Sequence, residues 1–552
     1  MAPLPVLLCL LAAIDAPPAA ASAPGTGAGD PAGAGASPDV LALELESGDG
    51  PLWARAGLAA RYTLQAALPS TLALYDVAAL SYAATSYLAP GPAQGYASGL
   101  AFVSAGWEPL PWLGFRLDVD SGLVRSQSFP ATTVVCPSAS SPSGLAPVGS
   151  VTCDGQARYL LQTTTNGPSE ITSNGQSFAD EASQTAFIRQ LYAEFTAGRA
   201  GAFHARLGRQ RLRVADGFVY DDWGLGLDLD LDLGAIGPPF AFSASVFYPS
   251  RAWPTGSAWQ YPVVAATAEW TPSLGEWVGI WGAWSRDATG DATAVLRQGL
   301  EENQVLELLR TSPGSAAYRA ASRRLAALQN AASTGTSNLG WLGASGRLDL
   351  SGWADVRFTL GAAFGTVGSA SGATGGSASV PVTGWLASAR LNAQPGGGWT
   401  LSPFFVWLTG DSLPSTQQIL SGSGTWSGFL AISPYITATN LFFQGGISES
   451  YADRRASGSG VNARGVVAPG IQVGFIPARG VDLVAKAAWL WADEVGGFGG
   501  SSYGPEVDLN VSWSPWRWLA VLAEADVLAL GNFFPQGGLA RRFIVGVNVT
   551  TP

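Results

Sequence analysis

Leu225-Gly226-Leu227-Asp228-Leu229-Asp230-Leu231-Asp232-Leu233 places leucine at every odd position and aspartate at three successive even ones. Successive side chains of a β-strand point to opposite faces. This stretch is therefore a strand with one leucine face and one aspartate face. A soluble sheet would turn the leucines to a core. A membrane barrel would turn them to lipid and the aspartates to a wet lumen. The rest of the chain decides between the two.

Charged residues are only 12% of the 552 residues, while Gly numbers 70 and Trp 21. A typical soluble chain carries about 25% charged residues. No apolar run of the ~20 residues that a transmembrane helix needs follows the N-terminal region. Hydrophobicity is dispersed instead as alternation. Phe115, Leu117 and Val119 alternate with Arg116, Asp118 and Asp120, and Val356, Phe358 and Leu360 with Asp355, Arg357 and Thr359. Val481, Leu483 and Ala485 alternate with Asp482 and Lys486, and Val507, Leu509 and Val511 with Glu506, Asp508 and Asn510. Period 2 on this scale is the strand signal.

The connections carry a second pattern. Short turns at 109–111, 199–201, 237–239, 275–276, 396–398, 478–480 and 514–515 alternate with longer connections at 122–184, 214–223, 287–337, 366–381, 410–464 and 530–539. An outer-membrane barrel sorts its loops in this way, into tight periplasmic turns and long extracellular loops. The expected fold is all-β: a transmembrane antiparallel β-barrel of about eighteen strands, wide enough for an aqueous channel. Strands are expected to start near 54, 98, 112, 185, 202, 224, 239, 261, 277, 338, 354, 382, 399, 465, 481, 503, 516 and 540. Residues 40–46 and 435–447 also have strand character. Trp270, Trp277, Trp399, Trp407, Trp513, Trp516 and Trp518 fit the aromatic girdles of such a barrel.

Residues 1–23 read as a signal peptide, with an apolar stretch before Ala21-Ser22-Ala23. Residues 24–39 read as a disordered Gly/Ala/Pro leader, and 40–552 as the barrel. Cys136 and Cys153 are expected to pair as a structural disulfide in an oxidising compartment. The stretch 291–337, with Leu296, Leu300, Leu308, Leu325 and Leu328 among charges, reads as a helical loop insert. Apolar pieces within 411–464, Phe429-Leu430 and Leu441 to Phe443, suggest a loop folded into the lumen.

The net charge is −11, with one His, and the single Lys is Lys486. An acidic chain without basic clusters does not point to nucleic acid. One His and three Cys do not supply a His- or Cys-rich metal site. Three aspartates in a strand lie ~6.6 Å apart and point in parallel, so Asp228, Asp230 and Asp232 alone cannot converge on calcium. No metal or cofactor is expected. His204, alone, does not make a hydrolase, and the chain is not read as an enzyme.

Several pieces resemble the alginate export family of outer-membrane porins. Tyr192-Ala193-Glu194-Phe195 followed by Arg206-Leu207-Gly208-Arg209-Gln210-Arg211-Leu212-Arg213 is similar to its central motif. Gly504-Pro505-Glu506-Val507-Asp508-Leu509, Asn532-Phe533-Phe534-Pro535 and Thr409-Gly410-Asp411 resemble further family elements. The resemblance implies an eighteen-strand barrel exporting an anionic polysaccharide through an arginine-lined pore.

The lumen balance departs from that pattern. Basic residues with inward parity are Arg116, Arg206, Arg347, Arg357, Arg390 and Lys486. Acidic ones are more numerous: Asp118, Asp120, Asp228, Asp230, Asp232, Glu269, Asp349, Asp355, Asp482, Glu506, Asp508, Glu524 and Asp526. Such a pore slows a polyuronate by like-charge repulsion. Glu194 and Gln210 join these residues as candidates for solute contact. Arg209, Arg211 and Arg213 have lipid-side parity. Either a bulge at Gly208 turns them into the lumen to grip carboxylates, or they sit above the bilayer and bind lipopolysaccharide phosphates, or the arginines are simply paired with Asp221, Asp222 or the Asp228 to Asp232 ladder.

The expected location is the bacterial outer membrane. Its lipids, lipopolysaccharide and the barrel assembly machinery are the expected partners. The expected function is a channel passing a saccharide or other small polar solute; the alternative is a loop-plugged, non-conducting barrel serving as an anchor or assembly element.

Overall fold

The computed structural model describes residues 52–69, 94–120, 124–127, 131–135, 149–153, 156–163, 187–198, 201–249, 262–287 without 274, and 315–320 without 318. It further describes 336–370, 377–412, 424–443 without 433, 460–495, 500–534 and 537–551. The alternating segments become one closed antiparallel barrel. Its strands are β1 (Leu52–Ala66), β2 (Gln94–Leu110), β3 (Leu113–Asp120, continued by Val124–Gln127), β4 (Phe187–Ala197), β5 (Phe203–Val214) and β6 (Tyr220–Asp232). Then follow β7 (Phe240–Pro249), β8 (Val263–Ser273), β9 (Glu276–Asp287), β10 (Ser337–Ser351), β11 (Ala354–Ala370) and β12 (Ser377–Gly396). The circle is completed by β13 (Trp399–Leu408), β14 (Val466–Ala478), β15 (Val481–Trp491), β16 (Ser502–Trp516), β17 (Leu519–Leu530) and β18 (Gly538–Thr550).

Each strand pairs with the next in sequence, and β18 closes on β1 from Thr550↔Gly57 to Arg541↔Ala66. The two pieces of β3 share β2 as neighbour, which makes the barrel eighteen-stranded. Closure satisfies every edge, the condition for a sheet to stand in lipid.

The two faces confirm which solvent lies where. Leu58, Leu207, Leu227, Ile280, Leu342, Leu360, Val507 and Val547 are exposed on the outer wall. Their inward neighbours Asp228, Ser345, Thr359, Asp508 and Asn548 are buried. Trp112, Trp270, Trp353, Trp399, Trp513, Trp516 and Trp518 are exposed at the short-turn rim. Trp284, Trp385 and Trp489 are exposed towards the long-loop rim. Two tryptophan girdles flanking an apolar band are the outer-membrane signature. Trp277 departs from the expected girdle, because its register with Arg347 gives it inward parity.

The strand starts follow the alternation closely, and the differences have local causes. β6 begins at Tyr220, so the connection after β5 shrinks to Ala215–Val219. Ala215, Asp216 and Gly217 there all take positive φ. In the long connection after β3, Ala131–Val135, Gly149–Cys153 and Gln156–Thr163 form a separate three-stranded sheet. Of residues 435–447, expected to have strand character, 435–443 are irregular and 444–447 lie outside the described residues.

The signal peptide, leader and residues 40–46 lie outside the described residues. So does Cys136, and of Cys153 only the backbone is described. Of the helical insert 291–337, only residues 315–320 without 318 and the strand-leading 336–337 are described; Arg319 N–H donates to Ser315 O at 3.0 Å.

Candidate functional site: the barrel lumen and the segment that crosses it

The insertion between β13 and β14 starts at a pinch. The Asp411 N–H donates to Ala463 O at 2.8 Å, so the two ends of the insertion are neighbours. Gly410 packs so closely on Arg464 O and the Gly465 nitrogen that no Cβ fits there. The Thr409-Gly410-Asp411 motif organises this pinch. Thr409 Oγ1 donates to Ser427 O at 2.9 Å, and Asp411 Oδ1 accepts from Ser427 N at 3.1 Å. Asp493 accepts from Trp407 Nε1 at 2.9 Å and from Gly410 N at 3.0 Å. Burial pushes the neighbouring Glu494 carboxyl above its ordinary range, and Asp493 adds to this.

From the pinch the chain runs inside the barrel. Trp426 makes a parallel bridge to Val382, and Trp426 N donates to Pro381 O at 2.8 Å. On β10, Trp341 Nε1 donates to Leu430 O at 2.8 Å. Next, Ile432 N donates to Val219 O and Tyr435 N to Gly217 O, at 2.9 and 2.8 Å. The segment then reaches β15 to β18. These contacts lie on three separate arcs of the circle, so a single segment touching all three crosses the interior. Asp216, in the β5–β6 connection, accepts from Thr359 Oγ1 on β11, so this connection reaches inward as well.

The last anchor is built from one cross-strand row. Lys486, Asp508, Asp526 and Arg542 are paired in register on β15, β16, β17 and β18. Asn440 seats on this row with all its polar groups. Its N–H donates to Asp508 Oδ2 at 2.9 Å, and its carbonyl accepts from Arg542 Nη2 at 2.7 Å. Its Nδ2 donates to Asp526 Oδ1 at 2.8 Å and Asn510 Oδ1 at 3.0 Å, while Oδ1 accepts from Lys486 Nζ at 3.0 Å. Glu506 accepts from Thr439 Oγ1, Leu441 N and Phe442 N. Arg542 also pairs with Glu524 at 2.9 Å and Asp526 at 3.0 Å. Asn532 Oδ1 caps Ser502 N at 2.9 Å, and Phe533 packs on Tyr503 with ring centroids 4.6 Å apart.

This changes the reading of three candidates for solute contact. Lys486, Glu506 and Asp508 do point inward, but each is at most 1% exposed because residues 437–442 cover them. They hold the crossing segment rather than line open water. The sequence showed their parity; what would lie over them was not visible in it.

The exposed charges lie nearer the short-turn rim. On one arc Glu194, Arg206 and Asp228 form a register row. Arg206 Nη2 donates to Asp228 Oδ2 at 2.5 Å and lies 3.8 Å from Asp230. Arg116 pairs with Asp118 at 3.2 Å. His204 Nδ1 sits 3.2 Å from Thr196 Oγ1 and 4.0 Å from Glu194. Asp232 caps Gly234 N at 2.8 Å at the rim. Asp120 closes the first piece of β3, and its side chain lies outside what the structure describes.

On another arc Arg347, Arg357 and Arg390 stand side by side on β10, β11 and β12. Asp349 lies 3.6 Å from Arg347, and Asp355 lies 3.4 and 3.5 Å from Arg347 and Arg357. Asn392 Nδ2 donates to Asp355 at 2.9 Å. Arg390 packs over the Phe404 ring at 5.8 Å. The lower lumen thus has an acid-rich side and an arginine side.

The second half of β5 follows neither simple parity. The pairing of β5 with β4 and β6 runs unbroken through Gly208, whose φ is 139°. The register shift lies in β4 instead, where Arg189 is skipped between Asp118↔Gln190 and Val119↔Ile188. Arg209 is 1% exposed, and its Nε donates to Ile188 O at 2.8 Å. Gln210 is equally buried, with Nε2 donating to Arg206 O at 3.2 Å. Arg211 Nε donates to Asp221 at 2.7 Å and its guanidinium lies 5.9 Å from the Tyr435 ring. Arg209, Gln210 and Arg211 are therefore framework around the crossing segment, and Arg213, largely exposed, stands 3.8 Å from the same Asp221.

No family model matches the sequence, and no curated protein matches it. Solved structures do. The outer-membrane protein OpdK of Pseudomonas aeruginosa aligns at 12% identity and TM-score 0.41, over 90% of this chain and 99% of that one. OccK2 (OpdF) of the same organism, solved in complex with glucuronate, aligns at 12% identity and TM-score 0.42, over 90% of this chain and 97% of that one. OccAB4 of Acinetobacter baumannii aligns at 7% identity and TM-score 0.42, over 90% of this chain and 98% of that one.

Proposed function

We propose that the chain is an outer-membrane channel, not an enzyme, that passes a small polar or saccharide solute by diffusion. The observation that carries this reading is the lower lumen: Glu194, Arg206, Asp230 and Arg357 are partly exposed acidic and basic side chains inside a barrel whose outside is apolar. Charges held in this way belong in water, and a barrel of ~16–18 strands has room for an aqueous channel. The motifs that resemble those of alginate export porins favour the same class of protein. Their polyuronate cargo fits less well, because acid groups outnumber bases on the β3–β6 side and repel a polyanion. Outer-membrane lipid, lipopolysaccharide and the barrel assembly machinery complete the set of partners we propose.

Single-channel recording in planar bilayers tests the proposal, with liposome uptake of neutral sugars, uronates and organic cations to class the solute. A second reading, the plugged non-conducting barrel, is favoured by the segment that crosses the lumen. Absence of conductance, even after removal of residues 411–464, would establish that second reading and reject the first.

A further inference from the structure

Among the described residues, the charges inside the barrel stand on its wall, with one exception. Residues 424–443, which cross the interior, contain no acidic or basic side chain. The β5–β6 connection, Ala215–Val219, contains one, Asp216. Asp216 is also the one exposed residue of that connection; Ala215, Gly217, Phe218 and Val219 are buried.

The turn is built to present this side chain. Ala215, Asp216 and Gly217 have φ of 55°, 51° and 88°. Two of the three are not glycine, and such a conformation persists only where surrounding contacts impose it. Phe218 N donates to Ala215 O at 2.9 Å, and Arg213 Nη2 donates to Asp216 O at 3.0 Å. A Cβ at position 217 would stand 2.8 Å from Tyr435 O, so the crossing segment packs directly on the turn. Arg211 and Arg213 face Asp221, at 2.7 and 3.8 Å. The Asp216 carboxylate is left to reach across the lumen and accept from Thr359 Oγ1 on β11.

Thr359 is the next inward position after Arg357 on β11. Such positions are ~6.6 Å apart, closer than the ~8 Å over which physiological salt screens a charge. Arg357 belongs to the row Arg347, Arg357 and Arg390, whose carboxylates on β10 to β12 are Asp349 and Asp355. Three guanidinium groups against two carboxylates leave one positive charge. Arg390 meets the Phe404 ring and, among the described residues, no carboxylate. The next acid on this side, Glu269, lies two strands from β10 and has a partner of its own. The Arg357 side chain is 40% exposed, and Asp216 is exposed as well, so the turn and the row border the same open space.

We propose that Asp216 is a specificity-determining residue: a counter-ion that the β5–β6 turn lends to the arginine row of β10 to β12. It cancels the surplus positive charge of the row and disfavours anions there, so an uncharged polyhydroxylated solute is better suited than a uronate. This rests on the channel reading above and adds the residue that sets the charge of the solute.

The test uses Asp216→Asn in the full chain. Asparagine tolerates positive φ, keeps an oxygen for Thr359 Oγ1 and removes only the charge; Asp216→Glu restores it. Heat-modifiable electrophoretic mobility confirms that each barrel has folded. Liposome uptake of a uronate is compared with that of a neutral sugar of the same size. The uronate-to-sugar ratio should rise about threefold or more with Asp216→Asn and return towards wild type with Asp216→Glu. A second readout needs no conduction. Cys9, Cys136 and Cys153 are replaced by serine, and Ser388→Cys places a thiol at the register partner of Thr359. The rates at which an anionic and a cationic methanethiosulfonate modify that thiol are read by mass, with and without Asp216→Asn. The anionic rate should gain about threefold or more on the cationic one when the charge is removed. In a barrel that takes up solute, an unchanged uptake ratio overturns the proposal. In any folded barrel, so does an unchanged ratio of rates, or a thiol that neither reagent reaches. Shifted rates in a barrel that takes up nothing reject the channel reading alone, because the rates still decide whether Asp216 keeps anions from the row.

Discussion

The main-chain N–H of Asn440 donates to the carboxylate of Asp508 at 2.9 Å, joining the middle of an extracellular insertion to the middle of a transmembrane strand. Asn440 is thereby the point at which the barrel wall recognises its own loop. It also bonds Lys486, Asn510, Asp526 and Arg542.

Replacing Asn440 by Ala should loosen the crossing segment. The main-chain bonds survive in principle, but Lys486 and Asp526 lose their amide partner in a buried place. Each such loss costs about 1–3 kcal/mol. Larger and noisier single-channel currents than wild type, with a lower unfolding temperature in heat-modifiable mobility, are expected. Unchanged currents and unchanged mobility would show that the row does not hold the segment.

Charge selectivity should follow the two exposed arcs. Neutralising Asp228, Asp230 and Asp232 to Asn removes three carboxylates and leaves Arg206 without its 2.5 Å partner. Wild type is expected to favour cations weakly in reversal-potential measurements, and the triple variant to lose this preference. A wild-type channel with strong anion preference would contradict the assignment.

The arginine side should act in the opposite sense. Arg347→Ser, Arg357→Ser and Arg390→Ser together remove the three guanidinium groups that stand in one register row. Cation preference should rise, and uptake of a uronate into liposomes should slow relative to a neutral sugar of the same size. Equal slowing of both solutes would indicate collapse of the lumen rather than loss of charge recognition.

Gly208 has φ 139°, and a Cβ there would stand 2.2 Å from Leu191 O. Gly208→Ala should therefore impair the β4–β5 pairing and reduce the amount of folded barrel in the outer membrane. Gly282→Ala is the control, since a Cβ at that position has its nearest neighbour at 3.6 Å. Equal yields of the two variants would remove the steric argument.

Leu342 is 59% exposed on the outer face of β10, near the middle of the strand. Leu342→Arg should destabilise the barrel in lipid by about 2–4 kcal/mol, the cost of a charge near the bilayer midplane. Denaturant unfolding in vesicles measures it. A neutral effect would mean that this face does not meet lipid.

The strands were legible because alternation is a local property: Leu227, Leu229 and Leu231 against Asp228, Asp230 and Asp232 can be read with no knowledge of neighbours. The same holds for Glu506 and Asp508, whose inward parity follows from Val507 and Leu509. Their partners were not legible, because the strand character of 435–447 points away from the irregular segment in which Asn440 sits, and an apolar triplet such as Leu441 to Phe443 announces burial but not the place of burial. Parity reasoning also fails where the ladder slips. Arg209 packs against the Ile188 carbonyl beside a shift at Arg189, and nothing in the residues around Arg189 marks that shift. Parity lists the charges of the lower lumen, more acids than bases, without their places around the circle; the register separates them into an acid-rich side and an arginine side.

The pinch at Asp411 and Ala463 makes the crossing segment a cartridge. Because the entrance and exit of the insertion are already within hydrogen-bonding distance, excising what lies between them leaves β13 and β14 joined as an ordinary hairpin, with the register from Leu408↔Val466 to Trp399↔Phe475 undisturbed. What obstructs the lumen and how the barrel is built are thus written in separate stretches of sequence. One can be exchanged, by evolution or by an engineer, without rewriting the other.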